Sequence, residues 1–89
     1  MLPVSKIIID VREPAEFTSS HVDDSVNIPL SKLMHGVAAA QAISKDKEIV
    51  LYCNSGNRSA LAKNIFENFG FSKVTNGISQ QHIEQSNHA

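Results

Sequence analysis

Short apolar runs alternate along the chain with stretches whose apolar residues recur at helical spacing. Residues 7–9 and 48–52 form the two clearest runs, which end at Asp10 and Cys53. Runs that are apolar on both faces are typical of central strands in a parallel sheet. Two weaker strands are predicted, one at residues 26–28 and one at residues 72–75.

The first two helical segments carry weak signals. Pro14 suits the first turn of a helix, which we predict to run to about residue 19 with Phe17 facing inward. Ser31 is a candidate N-cap for a second helical region that extends to residue 43. Gly36 lies inside this region and costs about 1 kcal/mol relative to Ala. The region is therefore either one weak helix or two short ones.

The strongest helix signal begins at residues 58–59 and ends before Gly70, a natural residue to follow a helix. Phe71 is expected to pack back on Phe66 there. A turn is predicted at Asn76-Gly77. Residues 78–89 are polar apart from one apolar position, so at most a short, frayed helix is expected.

The alternation of strands and helices predicts the fold class. Short links between them favour right-handed βαβ units, hence an α/β domain with a central parallel sheet of four to five strands and helices on both faces. We expect a single domain over residues 1–89, with its core at about 7–78. Ligands of such sheets bind beyond the carboxyl ends of the strands. Asp10 and Cys53 are thus expected at the same edge.

Composition narrows the function classes. The 89 residues are 42% apolar and 19% charged, which fits one small globular domain. A net charge of −1 argues against nucleic acid or an anionic membrane as partner. No secretory signal is visible at the start, which predicts a cytoplasmic protein, or a periplasmic one if a leader has been removed. The single cysteine excludes an internal disulfide, and no metal site is expected.

The chemistry of the chain concentrates around Cys53. A strand leads directly into it, residues 54–57 have turn chemistry, and a helix begins near Arg58 and Ser59. The backbone N–H groups of such a loop and of the helix start form an anion site, to which Arg58 adds a full charge. A lone cysteine is more often a buried apolar residue. This loop, which includes Gly56, favours instead a thiol with a lowered pKa that reacts with or carries an anion.

These residues also carry a resemblance. Residues 53–59 resemble the active-site loop of rhodanese-like sulfurtransferases, which is CxxGxR followed by Ser or Thr. Residues 10–17 resemble the N-terminal signature of that family. Residues 21–22 with 27–30 resemble a second stretch, and residues 74–77 resemble the segment just after its last strand. Asp24 stands where the family usually has glycine. The small, single-domain, phage-shock-type rhodanese is the most similar form.

The resemblance implies a sulfurtransferase reaction. The Cys53 thiolate would take sulfur from thiosulfate or a similar small anion as a persulfide, and would pass it to cyanide or to a small or protein thiol. Arg58 would bind the sulfonate oxygens of the donor, and Asp10 with Arg12 would support the loop as an ion pair. No metal or organic cofactor is implied. The remaining loop residues implied to bind the substrate are Asn54, Ser55, Gly56, Asn57 and Ser59, of which Ser59 is expected chiefly to cap the helix.

Two other functions remain open. A cysteine phosphatase or arsenate reductase of the related fold uses a Cys-x₅-Arg loop, usually after His, whereas this chain has Cys-x₄-Arg after Tyr52. The shorter loop favours one sulfur atom over a tetrahedral phosphate. A non-catalytic rhodanese-like binding module is the third possibility, although such modules often lack the cysteine.

Overall fold

The computed structural model describes residues 6–36 and 38–86, which form an α/β fold. The four strands are β1 (Lys6–Asp10), β2 (Val26–Asn27), β3 (Glu48–Cys53) and β4 (Val74–Ser79). All neighbouring strands pair in parallel in the order β2-β1-β3-β4. The predicted parallel sheet is therefore confirmed, with the lower of the two expected strand counts.

In the part of the chain that the structure describes, five helices connect and follow the strands: α1 (Pro14–Ser19), α2 (Leu30–His35), α3 (Ala38–Gln41), α4 (Asn57–Asn68) and α5 (Gln80–Ser86). The weak helical region is thus two short helices on either side of Gly36. Within the two described ranges, no helix is long and apolar enough to cross a membrane.

The sheet separates two buried layers. Successive strand residues point to opposite faces, so Ile49, Leu51 and Cys53 pack into one cluster with residues of α2 and α4. Tyr52 belongs to a second, smaller cluster with Ile83 of α5. Helices on both faces of the sheet were predicted, and this arrangement is confirmed.

Strand β4 differs from the prediction. It begins two residues later and continues through Asn76-Gly77, where a turn was expected. Leu51 pairs with Asn76 but Tyr52 pairs with Ile78, so Gly77 is an extra residue that makes a bulge. A side chain at Gly77 would come within 2.8 Å of Ile83. Position 77 therefore needs a residue without a side chain because β4 packs closely against α5 there, and the predicted turn was wrong.

One prediction about α2 was wrong, and one about α1 holds only in part. Ser31 does not cap α2, because the helix begins at Leu30; its hydroxyl donates instead to the carboxylate of Glu13, over 3.2 Å. Phe17 is only half-buried and stacks on His21, with 3.7 Å between ring centroids. The short helix α1 contributes no buried residue to the core.

The predicted end of α4 is confirmed. Gly70 has a φ of 106°, and the Phe71 N–H donates to the Phe66 carbonyl over 3.2 Å while their rings meet edge to face. Beyond β4, α5 buries Ile83. The helix therefore extends the core past residue 78, where the sequence analysis ended it.

Candidate active site

Cys53 is the last residue of β3, at the carboxyl edge of the sheet, and its residue surface is 1% exposed. Its Sγ accepts the N–H of Gly56 over 3.1 Å. Gly56 has a φ of 93° and immediately precedes α4. This left-handed conformation costs glycine little, and it turns the backbone N–H back toward the sulfur. The loop thereby closes on Sγ as the first turn of α4 begins.

The pKa of Cys53 is lowered to about 7. Burial alone raises the pKa of this thiol, because it removes the thiolate from water. The Ser59 hydroxyl, when its proton points at the sulfur, and the backbone N–H groups of Ser59, Ser55 and Gly56 outweigh that effect by hydrogen bonding to the thiolate. The lowered pKa agrees with the sequence prediction and leaves a substantial thiolate fraction near neutral pH.

Arg58, on the first turn of α4, forms a two-pronged ion pair with Glu16 of α1. The Nη1–Oε2 distance is 2.9 Å and the Nη2–Oε1 distance is 3.0 Å. Asn54 of the loop donates to the same carboxylate over 3.0 Å. The Arg58 hydrogen bonds lower the pKa of Glu16 to about 2. Glu16 thus links the loop and α4 to α1, a role that sequence analysis missed because Arg58 lies 42 residues away.

Ser59 does not cap α4, contrary to expectation. The helix begins at Asn57, so Ser59 lies inside the first turn, fully buried. Its Oγ lies 3.5 Å from the Cys53 Sγ and 2.6 Å from Oδ1 of Asn76. Asn76 also donates through Nδ2 to the Gly56 carbonyl over 3.0 Å. Sequence analysis missed Asn76 by interpreting Asn-Gly as a turn, although the side chain of Asn commonly bonds the backbone two residues on.

Asp10 and Arg12 form a buried ion pair beside the site. The Nη2–Oδ2 distance is 2.7 Å, and Nη2 also donates to the Ser20 carbonyl over 2.6 Å. The predicted ion pair is therefore present, and its bonds hold the chain between β1 and α1. Arg12 and Asn54 also line a polar cavity of about 350 Å³. Within the described part of the chain, no group of three or more potential ligands could hold a metal ion.

Comparison with known proteins places this geometry in a family. The sequence matches the family described as Rhodanese-like domain over residues 2–78. The chain belongs to the rhodanese family. Among solved structures, a rhodanese with anions from E. coli shares 31% sequence identity, with a TM-score of 0.75 over 86% of this chain and 89% of that one.

Two curated relatives of this rhodanese domain are sulfurtransferases by name. Thiosulfate sulfurtransferase PspE of Escherichia coli (strain K12) is 37% identical over 68 residues, 76% of this chain. A putative mitochondrial thiosulfate sulfurtransferase of Schizosaccharomyces pombe is 32% identical over 82 residues, 81% of this chain. The chain spans 64% and 58% of the lengths of these two relatives.

The predicted loop residues of this rhodanese domain, apart from Asn57, form two groups. Cys53, Gly56 and Ser59 converge on the sulfur, and the Ser55 N–H contributes to its charge stabilisation. The side chains of Asn54 and Arg58 instead bind Glu16. Asn57 is exposed and begins α4.

Proposed function

We propose that this rhodanese domain is a sulfurtransferase that moves the sulfane sulfur of thiosulfate, or of a similar donor, to cyanide or a thiol through a persulfide on Cys53. The observation that carries the proposal is the placement of Sγ. The Gly56 N–H lies 3.1 Å from it, and the pKa of the thiol is about 7. A thiolate held in this way is both available at neutral pH and strongly nucleophilic.

In the first step, the Cys53 thiolate attacks the outer sulfur of thiosulfate. A new S–S bond forms to Sγ, the S–S bond of the donor breaks, and sulfite leaves with the bonding electron pair. The negative charge moves to the outer sulfur of the persulfide. Backbone N–H groups of the loop and the N-terminal turn of α4 stabilise this charge on sulfur, just as such groups stabilise oxyanions and phosphates.

In the second step, an acceptor nucleophile attacks the outer sulfur of the persulfide. Cyanide leaves as thiocyanate, a thiol becomes a persulfide, and the Cys53 thiolate is restored in both cases. The polar cavity of about 350 Å³ that Asn54 lines lies beside the loop and has room for a small acceptor. The sulfur thus transfers in two covalent steps, which predicts ping-pong kinetics.

Arg58 is proposed to bind the sulfonate oxygens of the donor. Its guanidinium carries five N–H donors, and Glu16 accepts two hydrogen bonds from it. Within residues 6–36 and 38–86 no other acceptor binds this guanidinium, which leaves its remaining N–H groups for an anion. The pair is partly exposed, since the Arg58 side chain is 34% accessible, so a small anion from solvent can reach it.

The loop length distinguishes this proposal from phosphate or arsenate chemistry. Four residues separate Cys53 from Arg58, and the loop already closes to 3.1 Å between Sγ and the Gly56 N–H. A tetrahedral phosphoryl group needs three oxygens cradled at once, which calls for a wider ring of donors. The spacing therefore favours sulfur transfer.

The test is loading with thiosulfate followed by intact-protein mass spectrometry. One sulfur atom should add to the protein and cyanide should remove it as thiocyanate. Because Cys53 is the single cysteine, Cys53→Ser should abolish both the addition and the turnover. If the wild-type protein neither gains sulfur nor produces thiocyanate, the proposal is contradicted, and the non-catalytic binding module becomes the better interpretation. Efficient hydrolysis of an aryl phosphate would point to the phosphatase instead.

A further inference from the structure

The side-chain amide of Asn76 has an orientation that its partners determine. The backbone N–H of Ile78 can only donate, and it lies 2.9 Å from Oδ1. The carbonyl of Gly56 can only accept, and it lies 3.0 Å from Nδ2. The amide oxygen, not the nitrogen, therefore faces the hydroxyl of Ser59, at 2.6 Å.

This orientation decides where the Ser59 proton points. A serine hydroxyl has one proton, and Oδ1 of Asn76 can only accept. In the observed arrangement Ser59 donates to Asn76, and as long as it does so its Oγ offers only lone pairs to the Cys53 Sγ, 3.5 Å away. Ser59 is fully buried, so solvent has no direct access to replace this donor. Two acceptors, Asn76 and the Cys53 thiolate, compete for one proton.

We propose that Asn76 is a positioning residue that holds the hydroxyl proton of Ser59 away from the Cys53 sulfur. The Ser59 hydroxyl can stabilise the thiolate only by giving up its short bond to Asn76. Asn76 thus limits how far the pKa of Cys53 falls. The benefit of this restraint rests on the proposed sulfur transfer, because the nucleophilicity of a thiolate decreases as its pKa falls and an attacking thiol works best with a pKa near ambient pH.

The charged groups around Cys53 do not provide the same control. Arg58 of α4 interacts electrostatically with Cys53, but Glu16 of α1 neutralises it. Asp10 on β1, the neighbouring strand, is likewise paired with Arg12. The side chains that α2 and α4 contribute to the hydrophobic cluster containing Cys53 carry no charge: Leu30, Leu33, Ala62 and Phe66. Substitution of Asn76 removes none of these charges.

The experiment is a double-mutant cycle of the wild type, Asn76→Ala, Ser59→Ala and the double variant. The pKa of Cys53 is read from the pH dependence of its alkylation by iodoacetamide, which reports one site because the chain has one cysteine. Asn76→Ala also removes the hydrogen bond to the Gly56 carbonyl, but it does so both with Ser59 and with Ala at position 59, so this effect cancels in the comparison. Asn76→Ala should lower the pKa by about 0.4–1 unit more when Ser59 is present than in the Ser59→Ala background.

A coupling of zero, or one of opposite sign, would overturn the proposal. Should Asn76→Ala fail to fold, judged by circular dichroism, the native protein supplies the test. At pH 5, where Cys53 is a thiol, the Ser59 hydroxyl proton should show nuclear Overhauser contacts to the Asn76 amide; contacts to the Cys53 β protons in their place would refute it. Alkylation needs no sulfur transfer, so this result is separate from thiosulfate loading of the wild type.

Discussion

The ion pair between Glu16 and Arg58 should give the protein a measurable, pH-dependent part of its stability. Glu16→Gln keeps the shape of the side chain but removes its charge. The pKa of Glu16 is lowered from 4.5 to about 2, chiefly by its hydrogen bonds to Arg58. By linkage, a shift of this size corresponds to roughly 3 kcal/mol. The two side chains are 34% and 32% exposed, and screening by water reduces the expected contribution to about 1 kcal/mol.

The direction of the pH dependence follows from the lowered pKa. The unfolded chain takes up a proton on Glu16 at higher pH than the folded protein does. The stabilisation is therefore complete above about pH 4.5, and it is lost as the pH falls toward about 2. The assay is urea unfolding of wild type and Glu16→Gln at a series of pH values from 7 to 2.5. The difference in unfolding free energy should shrink through this window, and added salt should reduce it at pH 7.

Glu67→Gln is the matched control. Glu67 pairs with Lys63 on the exposed face of α4 at the same 2.9 Å, but one turn away on the same helix. Such a pair contributes about 0.3–0.5 kcal/mol. Equal losses for the two variants, or a Glu16→Gln loss that does not change between pH 7 and pH 2.5, would show that charge pairing with Arg58 is not what Glu16 contributes.

Three further predictions concern the loop and the bulge. Arg58→Ala should raise the KM for thiosulfate and lower kcat/KM about ten- to a hundred-fold, as expected for loss of a charge-assisted contact. Steady-state kinetics measures both constants, with Lys63→Ala as the control; if the two variants had the same KM and kcat/KM, Arg58 would have a structural role alone. Gly77→Ala should destabilise the protein by about 1–3 kcal/mol in thermal or urea unfolding, because its side chain would press on Ile83; an unchanged midpoint would contradict the packing. Insertion of one glycine after Gly56 should weaken sulfur transfer with little loss of stability, since loop closure costs grow slowly with length; full thiocyanate production by the folded variant would disprove the cradle argument.

The sequence alone determined the parts of this protein that depend on neighbouring residues. The run before Cys53, the turn residues after it and the helix that follows are contiguous, so strand β3, the loop and α4 could be predicted together. The end of α4 is also local, because Gly70 and Phe71 contact the last turn of the same helix. The lowered pKa of Cys53 follows from hydrogen-bond donors within six residues of it, namely the Ser59 side chain and the backbone N–H groups of the loop and helix start.

The tertiary structure alone decided the contacts between distant segments. Glu16 looks like an ordinary charge near a helix start, and only the packing of α1 beside α4 brings it to Arg58, 42 residues away. Asn76 is a turn residue by local chemistry, yet parallel pairing of β4 with β3 brings its amide to Ser59. Hydrogen bonds and ion pairs of this kind depend on strand order and register. Local periodicity and turn chemistry encode neither strand order nor register, because order and register arise only when separate elements pack against each other.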